Sequence, residues 1–356
     1  MPENEIDPPP GEAADSSPRR PGAIFPLVLA LSLCAVIASF LFHEIYDLDV
    51  WWHVPIGKTI VANLSVPSVD DFSRAGQGRP YHDSHWLFQA ALALAHSAGG
   101  WAGVEAFMAL VWAMALLICF RTVRRHVPLA PACVLVFLGA MTCVERFLPR
   151  PEIVSYLMIA LFYHLLERGK EAPRALRSPA LLGCLQAIWT NCHGLFILGP
   201  FMVGCHWLHE LRAKRRGDGA EFRRLTALLL VVLAATFVAP FGWNGWRYAS
   251  LLVTESGAGA PAIMKDIGEL GPVFGGAFMW SPAFWFFMIL LAIATVALLA
   301  AFLRNGSLPL PRFVIVAAFA VMAFSARRNV VPFALVAVAY VAETGKPFFR
   351  RQSLTS

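Results

Sequence analysis

The chain has 356 residues, of which 58% are hydrophobic and only 15% charged, and its mean hydropathy is +0.60. A soluble domain of this size cannot bury so much apolar surface in one core, so the composition predicts a membrane protein with several spans. The net charge of +6 comes from short basic clusters between apolar runs. Such clusters are typical of cytoplasmic loops, and they argue against a nucleic-acid partner.

The first predicted element follows a leader, residues 1–22, that is rich in Pro, Asp, Glu and Ser and is predicted to be disordered. An apolar run then extends from Ala23 to Phe42. No small-x-small cleavage motif follows this run, so we interpret it as a retained first span. The seven cysteines lie mostly inside apolar stretches without C-x-x-C spacing, which makes a disulfide framework or a zinc site an unlikely basis for the fold.

Apolar runs near the ~20-residue length of a transmembrane helix recur along the whole chain. They predict an all-α transmembrane bundle over residues 23–343, with a long first extracytoplasmic loop and a cytoplasmic tail, residues 344–356. About ten spans are expected, at residues 23–43, 101–120, 129–145, 152–167, 179–191, 195–210, 225–240, 282–303, 312–326 and 330–343. The pair on either side of the sequence TNCHG is also consistent with one broken helix.

The basic residues fix the predicted orientation. If the N-terminus is cytoplasmic, most of the 29 Lys and Arg residues fall in inner segments, which satisfies the positive-inside rule and leaves both termini in the cytoplasm. Arg146, Arg150, Arg327 and Arg328 then lie on the outer side, where the rule does not place them. Arg327 and Arg328 occupy a very short turn in FSARRNVVPF and are expected to have an anionic partner. The alternative is that both extend to lipid headgroups.

The first outer segment, from Glu44 to Gly100, contains most of the residues capable of chemistry. Its pattern predicts a helix beginning in DLDVWWHVPIGKTIVAN, then a turn-rich stretch, then an amphipathic helix up to Gly100. On a helix, Asp47 and Asp49 would point about 200° apart and could not face one ligand. At an extended or half-wound helix start they could. Asp49 and His53 are four residues apart and share a helical face.

Simpler interpretations of these residues stay open. Tryptophans at a membrane edge are typical of an aromatic belt, and the carboxylates are consistent with helix caps or a solvated loop. Four histidines raise the question of a metal site: His53, His82, His85 and His193. Their spacing matches no compact ligand motif. The predicted midplane contains few ionisable residues, which disfavours an ion-coupled transporter, and only the break near Asn191 favours one.

Several motifs together carry a family resemblance: DLDVWWHVPIGKTI, VPSVDDFSRAGQGRPYHDSHWLFQ, RFLPRPEIVSYLMIALFYHLLE, IWTNCHGLFILG, APFGWNGWRY and ARRNVVPFALVAVA. In their order and mixture they resemble bacterial multi-span proteins similar to GT-C type glycosyltransferases, over about Ile24 to Ala342. The resemblance implies an enzyme of the bacterial plasma membrane. Such an enzyme takes a sugar from a polyprenyl-phosphate carrier and transfers it to a glycan, lipid or protein acceptor on the extracytoplasmic face.

This reaction needs a carboxylate that accepts the acceptor's proton and cations that stabilise the departing phosphate. The resemblance places an aspartate at the start of the first outer loop near the acceptor, so we expect Asp49 to be the base. Asp47 is its neighbour, or a metal ligand if a divalent cation such as Mg²⁺ or Mn²⁺ takes part. Bidentate guanidinium groups suit phosphate oxygens.

Arg327 and Arg328 are therefore the first candidates for binding the carrier phosphate, and Arg146 and Arg150 come next. Four further residues are expected to shape the sugar pocket: His53, Glu152, Asn191 and His193. Two other classes of function remain as alternatives. A lipid or glycolipid transporter would need a polar path across the membrane, and a noncatalytic scaffold would leave the outer charges merely solvated.

Overall fold

The computed structural model describes residues 24–169, 178–213, 219–254, 268–274, 276–306 and 310–355. The predicted leader, residues 1–22, lies outside these ranges. Within them the regular structure is helical, apart from one isolated bridge between Val69 and Pro80. The α-helices are α1 Ile24–Leu41, α2 Val50–Asn63, α3 Trp86–Arg124, α4 Leu129–Thr142, α5 Glu152–Arg168, α6 Pro179–Thr190, α7 Leu198–Ala213, α8 Ala220–Ala235, α9 Trp243–Thr254, α10 Pro282–Asn305, α11 Leu310–Ser325 and α12 Val330–Thr355.

Four described segments are long and apolar enough to cross a membrane: Ile24–Leu41, Trp86–Arg124, Pro282–Arg304 and Arg327–Pro347. Leu129–Thr142, Pro179–Thr190 and Leu310–Ser325 are shorter apolar helices. A helix lies at each of the ten predicted spans, but length and composition support crossing for four of them. The chain is thus a helical membrane protein, and a count of about ten spans stays a prediction.

Helix α3 joins the predicted amphipathic helix to the predicted span 101–120. The two halves meet at a kink, where Gly99 and Gly100 leave helical geometry and Gly100 has a φ of 60°. A residue with a side chain rarely adopts this φ, so the glycine permits the change of direction. The first half of α3 packs against α2, because Gly57 lets the two backbones approach closely.

Two other helices have boundaries that differ from the prediction. Helix α8 begins at Ala220, before the predicted 225, because Glu221 and Arg224 form an ion pair one turn apart within its polar first turn. Helix α12 continues to Thr355, through most of the predicted tail at 344–356. Between α6 and α7 the chain turns at residues 191–193 and forms a short 3-10 helix, Gly194–Ile197, so the TNCHG segment is a break in helical structure.

Helix α12 occupies the centre of the bundle, where it contacts α3, α4, α5, α10 and α11. Its Phe333 and Tyr340 side chains are almost fully buried. At one end of the bundle, Arg312 binds both Glu167 and Glu343 and so ties α5, α11 and α12 together. Glu152, at the other end of α5, is fifteen residues away, about 22 Å along a helix. The polar groups of the bundle are therefore concentrated at two opposite ends.

Candidate active site

The connection between α4 and α5 places two arginines at the Glu152 end of the bundle. Arg146 closes a short 3-10 helix, Val144–Arg146, and Arg150 stands just before Pro151, the N-cap of α5. Proline restricts the backbone of the residue before it to conformations that do not continue a helix. Arg150 is therefore held at the helix entrance, close to Arg146 and Glu152.

Asp47 and Asp49 meet on the guanidinium of Arg150. Asp47 Oδ1 accepts hydrogen bonds from Arg150 Nε at 2.9 Å and Nη2 at 2.7 Å, and Asp49 Oδ2 lies 3.0 Å from the same Nη2. Both aspartates precede the first helical residue of α2, and Asp49 is its N-cap. The half-wound helix start, one of the two geometries left open by the sequence, is the observed one.

Glu269 completes this arrangement from a distant part of the chain. Its Oε2 accepts from Arg146 Nη1 at 2.7 Å and also binds Arg150 Nη1, while Arg146 Nη2 binds Glu152. We call these six residues, Asp47, Asp49, Arg146, Arg150, Glu152 and Glu269, the carboxylate–arginine cluster. Glu269 was not among the predicted site residues, and the only signal in the sequence was its place among the outer acidic residues.

The two aspartates differ in their access to a ligand. The Asp47 side chain is 1% exposed, and its second oxygen, Oδ2, is buried without a hydrogen bond. The Asp49 side chain is 51% exposed. Partial burial raises the pKa of Asp49, Arg150 opposes this effect, and the negative charge of Asp47 adds to it. Asp49 is therefore the accessible carboxylate, with a raised proton affinity, and Asp47 anchors Arg150.

Arg327 and Arg328 line a pocket that borders the cluster. This Arg328 pocket has a volume of about 210 Å³ and shares Arg146 and Glu269 with the cluster. Arg327 Nε donates to the Pro272 carbonyl at 3.3 Å, and its guanidinium lies 5.8 Å from the centre of the Phe278 ring. Within the described part of the chain, the guanidinium of Arg328 has neither a hydrogen bond nor an ion pair. A cation without a partner in a pocket favours an anionic ligand.

The remaining predicted site residues lie deeper or hold the scaffold. His53 Nδ1 is 3.2 Å from Gln89 Nε2, and His193 Nδ1 is 2.8 Å from Ser155 Oγ. Asn191 accepts from Trp86 Nε1 at 2.7 Å and donates to two backbone carbonyls, so its side chain joins α6 to the start of α3. His85 stands between the other two histidines, with ring centres 6.2 Å from His53 and 5.7 Å from His193.

We tested whether these residues suit a divalent cation. Mg²⁺ and Mn²⁺ need several oxygen ligands that converge on one point. Here the space between Asp47 and Asp49 is filled by Arg150, and Glu152 and Glu269 also bind arginines. No group of three or more His, Cys, Asp or Glu residues within the described ranges is placed to hold a metal. The arrangement of the described carboxylates therefore does not fit the divalent cation that the sequence left open.

Comparison with known proteins finds similarity in structure alone. No family model and no curated protein sequence matches the chain. Among solved structures, the archaeal oligosaccharyltransferase AglB from Archaeoglobus fulgidus, in complex with an inhibitory peptide and a dolichol-phosphate, superimposes with a TM-score of 0.61 over 93% of this chain. The apo form of the Archaeoglobus fulgidus oligosaccharyltransferase gives a TM-score of 0.57 over 94%. The chain has a GT-C-like fold.

The expected resemblance to GT-C type glycosyltransferases is thereby confirmed at the level of fold. Sequence identity is 13% in both comparisons, so the GT-C-like fold is what they establish. The chain also spans about half the length of these two structures, 51% and 52%. A fold does not define a reaction, so function has to be argued from the site.

Proposed function

We propose that this protein is a membrane glycosyltransferase that moves a sugar from a polyprenyl-phosphate carrier to an acceptor on the extracytoplasmic face. The observation that carries the proposal is the combination of an accessible carboxylate, Asp49, with the guanidinium of Arg328, which is unpaired among the described residues, at one end of a GT-C-like bundle. Transfer of a sugar from a phosphate carrier needs one group of each kind. The complex of AglB with a dolichol-phosphate supports the proposal of a lipid-phosphate ligand.

The phosphate of the donor would bind in the Arg328 pocket. As the bond between the anomeric carbon and the phosphate oxygen breaks, its electron pair stays on the phosphate and negative charge accumulates there. Arg328, supported by Arg327, is positioned to stabilise that charge. Arg146 also lines the pocket but is already bound to Glu152 and Glu269, so its contribution to phosphate binding is smaller.

The acceptor hydroxyl would bind next to Asp49. The hydroxyl oxygen attacks the anomeric carbon and its proton passes to the Asp49 carboxylate. Asp47 is too deeply buried to exchange a proton with an acceptor, and its two hydrogen bonds from Arg150 give it a positioning role instead. Arg150 in turn fixes the Asp49 carboxylate from one side and leaves the other side open.

An apolar groove supplies a surface for the hydrocarbon tail of the donor. The groove lies between α1, α3 and α4, has a volume of about 660 Å³ and is lined almost entirely by aliphatic and aromatic side chains. It ends at Leu41 and Phe42, a few residues before Asp47. It also reaches Phe137 of α4, and Thr142 at the end of the same helix lines the Arg328 pocket. The tail and the phosphate could thus bind adjacent surfaces.

The test is to incubate the purified full chain in lipid nanodiscs with a panel of polyprenyl-phosphate sugars and a membrane glycan extract, and to follow donor consumption and product mass by mass spectrometry. Asp49→Asn should insert normally and lose about 10²- to 10⁴-fold in transfer rate. Arg328→Gln should weaken donor binding about 10- to 100-fold. Arg79→Gln, a change at an exposed arginine, is the control.

Unchanged transfer by Asp49→Asn would eliminate the proposed base, and unchanged donor affinity in Arg328→Gln would eliminate the phosphate site. Movement of a labelled lipid across the bilayer without formation of a glycosylated product would favour the transporter alternative. Parallel reactions with EDTA and with added Mg²⁺ or Mn²⁺ measure directly whether transfer depends on a cation.

A further inference from the structure

A second pocket, of about 200 Å³, lies beside α2. It lies between α2, the start of α3 and the loop that connects them, and it shares no lining residue with the Arg328 pocket. We call it the Gln89 pocket. Its principal lining residues are Trp52, His53, Phe72, Tyr81, His85 and Gln89. The volume is below the ~300–1,000 Å³ of a drug-sized site, which limits the occupant to a small group.

The lining of the Gln89 pocket selects against charge. Among the described residues, neither Lys nor Arg lines it, and burial lowers the pKa of His53 to about 4, so this histidine is neutral at physiological pH. Asp70 is the acidic residue in the lining. Its carboxylate already accepts from the backbone N–H groups of Phe72 and Ser73, at 3.0 and 2.8 Å, and from the Ser73 hydroxyl at 2.6 Å. An uncharged ligand suits this environment best.

A buried hydrogen-bond acceptor in the pocket has no partner within the part of the chain that the structure describes. The Gln89 residue is 1% exposed, and its Oε1 is buried without a hydrogen bond. Its Nε2 donates to His53 Nδ1, which leaves the proton of this neutral imidazole on Nε2 as a donor. An unpaired buried oxygen is energetically unfavourable, so a hydrogen bond from a ligand hydroxyl to this oxygen would make the free energy of binding more favourable. One acceptor and one donor side by side match a polyhydroxylated ligand.

Aromatic side chains provide the apolar part of the lining. The rings of Phe72 and Tyr81 lie 6.4 Å apart at 57°, and Trp52, half-exposed, borders the same space. A sugar ring presents C–H groups on one face and hydroxyls at its edge. Aromatic rings can cover the C–H face while Gln89 and His53 bind hydroxyls. Aromatic surface next to neutral polar groups therefore favours a sugar over a lipid tail or an ionic group.

The position of the pocket relates it to the acceptor. Asp49, the N-cap of α2, stands one helical turn before His53, which lines the Gln89 pocket. Arg150 binds both Asp49 and Glu269, and Glu269 lines the Arg328 pocket. The carboxylate–arginine cluster thus separates the two pockets. In a displacement at the anomeric carbon, the leaving phosphate and the incoming hydroxyl occupy opposite sides. A group in the Gln89 pocket is on the side of the base.

We propose that the Gln89 pocket binds an uncharged sugar unit of the acceptor, which makes the acceptor a glycan. The assignment of this sugar to the acceptor rests on the proposed function. Binding of a sugar to the pocket does not, and it can be measured without any transfer. The proposal predicts selectivity for neutral glycosides over charged ones, together with a dependence on the aromatic lining.

The experiment uses the full chain in nanodiscs without donor. Saturation-transfer NMR measures the affinities of methyl glucoside, methyl mannoside, methyl galactoside and methyl N-acetylglucosaminide, with methyl glucuronide as the charged comparison. Trp52→Ala should weaken binding of the preferred neutral glycoside about 2- to 10-fold. Trp51→Ala is the matched control, since Trp51 is equally exposed on the same helix but packs against Trp101 outside the pocket. Control and wild type should bind alike.

Each outcome decides one claim. Absence of saturable binding by every neutral glycoside, equal effects of the two tryptophan changes, or preference for the glucuronide would overturn the pocket assignment even if transfer occurs. Glycoside binding that depends on Trp52 would support the pocket even if no lipid-linked donor is consumed. In a working transfer assay, Trp52→Ala should raise the KM for the acceptor and leave that for the donor unchanged, and the reverse pattern would overturn the assignment to the acceptor.

Discussion

Arg150 should be the residue on which the stability of the site depends most. Its guanidinium binds Asp47, Asp49 and Glu269, and the Asp47 side chain is 1% exposed. Arg150→Gln would remove both hydrogen bonds from Asp47 Oδ1 and leave a buried carboxylate without a counter-charge. Removal of one partner from a buried ion pair costs about 3–5 kcal/mol, so we expect a loss of that size in the free energy of unfolding.

A double-mutant cycle separates this effect from simple loss of packing. Asp47→Asn removes the buried charge, so the double variant Asp47→Asn with Arg150→Gln should be more stable than additivity predicts by about 1–3 kcal/mol. Unfolding by SDS titration in mixed micelles, followed by tryptophan fluorescence, gives the four free energies. Arg79→Gln should change stability by no more than about 0.5 kcal/mol. A cost below about 1 kcal/mol for Arg150→Gln, or strict additivity in the cycle, would refute the reasoning.

Three further outcomes are expected. Because partial burial raises the pKa of Asp49, kcat/KM for transfer should decline on acidification along a limb whose midpoint lies above 3.8, and Asp49→Asn should abolish that limb. Burial raises the pKa of Asp83 from 3.8 to about 6, so the folded state loses stability as pH rises through that interval. Asp83→Asn should therefore stabilise the protein at pH 8 by about 1–3 kcal/mol, with no gain near pH 4 in the same unfolding assay. Gly57→Ala would place a Cβ 2.0 Å from the Gln89 carbonyl oxygen and should cost about 1–3 kcal/mol, whereas Gly99→Ala meets no atom within 4 Å and should be nearly neutral in thermal unfolding.

The ten predicted spans could be recognised because each is a contiguous apolar run. Helix α9, Trp243–Thr254, was not among the predicted helices. The structure shows that Trp246 Nε1 donates to Thr236 Oγ1 at 2.9 Å and so attaches the start of α9 to the end of α8. The Trp246 ring also packs against Phe196 and Phe237, so tertiary contacts hold the start of this helix, which has no long apolar repeat.

The partners of the predicted site residues were less accessible to prediction. Arg146 and Arg150 could be selected because arginines are unexpected on the outer side, but their shared carboxylate, Glu269, is more than a hundred residues away. Glu269 occupies a short 3-10 helix, Gly268–Leu270, which has no periodic pattern of its own. Pairing over such a separation depends on the packing of the whole bundle. The local sequence around each residue therefore does not predict this contact.

The role of Gln89 in its pocket could not be predicted from the sequence either. Gln89 lies in an amphipathic helix, where a polar residue is expected on the solvated face, and nothing in the sequence distinguishes it from a surface position. In the structure it is buried beside His53, with one amide oxygen unpaired. A buried unpaired atom is a property of three-dimensional packing, which explains why Gln89 was not predicted as a site residue together with His53.

The pairing of the arginines separates those that hold the fold from those available to a ligand. At one end of the bundle Arg312 is bound to Glu167 and Glu343, and at the other Arg146 and Arg150 are bound to the carboxylates of the cluster. Arg328 lies beside that cluster, partly buried, and forms neither a hydrogen bond nor an ion pair with the described residues, although Glu145 and Glu269 line the same pocket. Three guanidiniums and two carboxylates of the described residues therefore line this pocket, and Arg328 is the guanidinium among them whose hydrogen-bonding groups stay available. If the proposed donor binds here, its phosphate would pair with Arg328, while the nearby carboxylates would oppose the binding and so favour release of the phosphate after transfer.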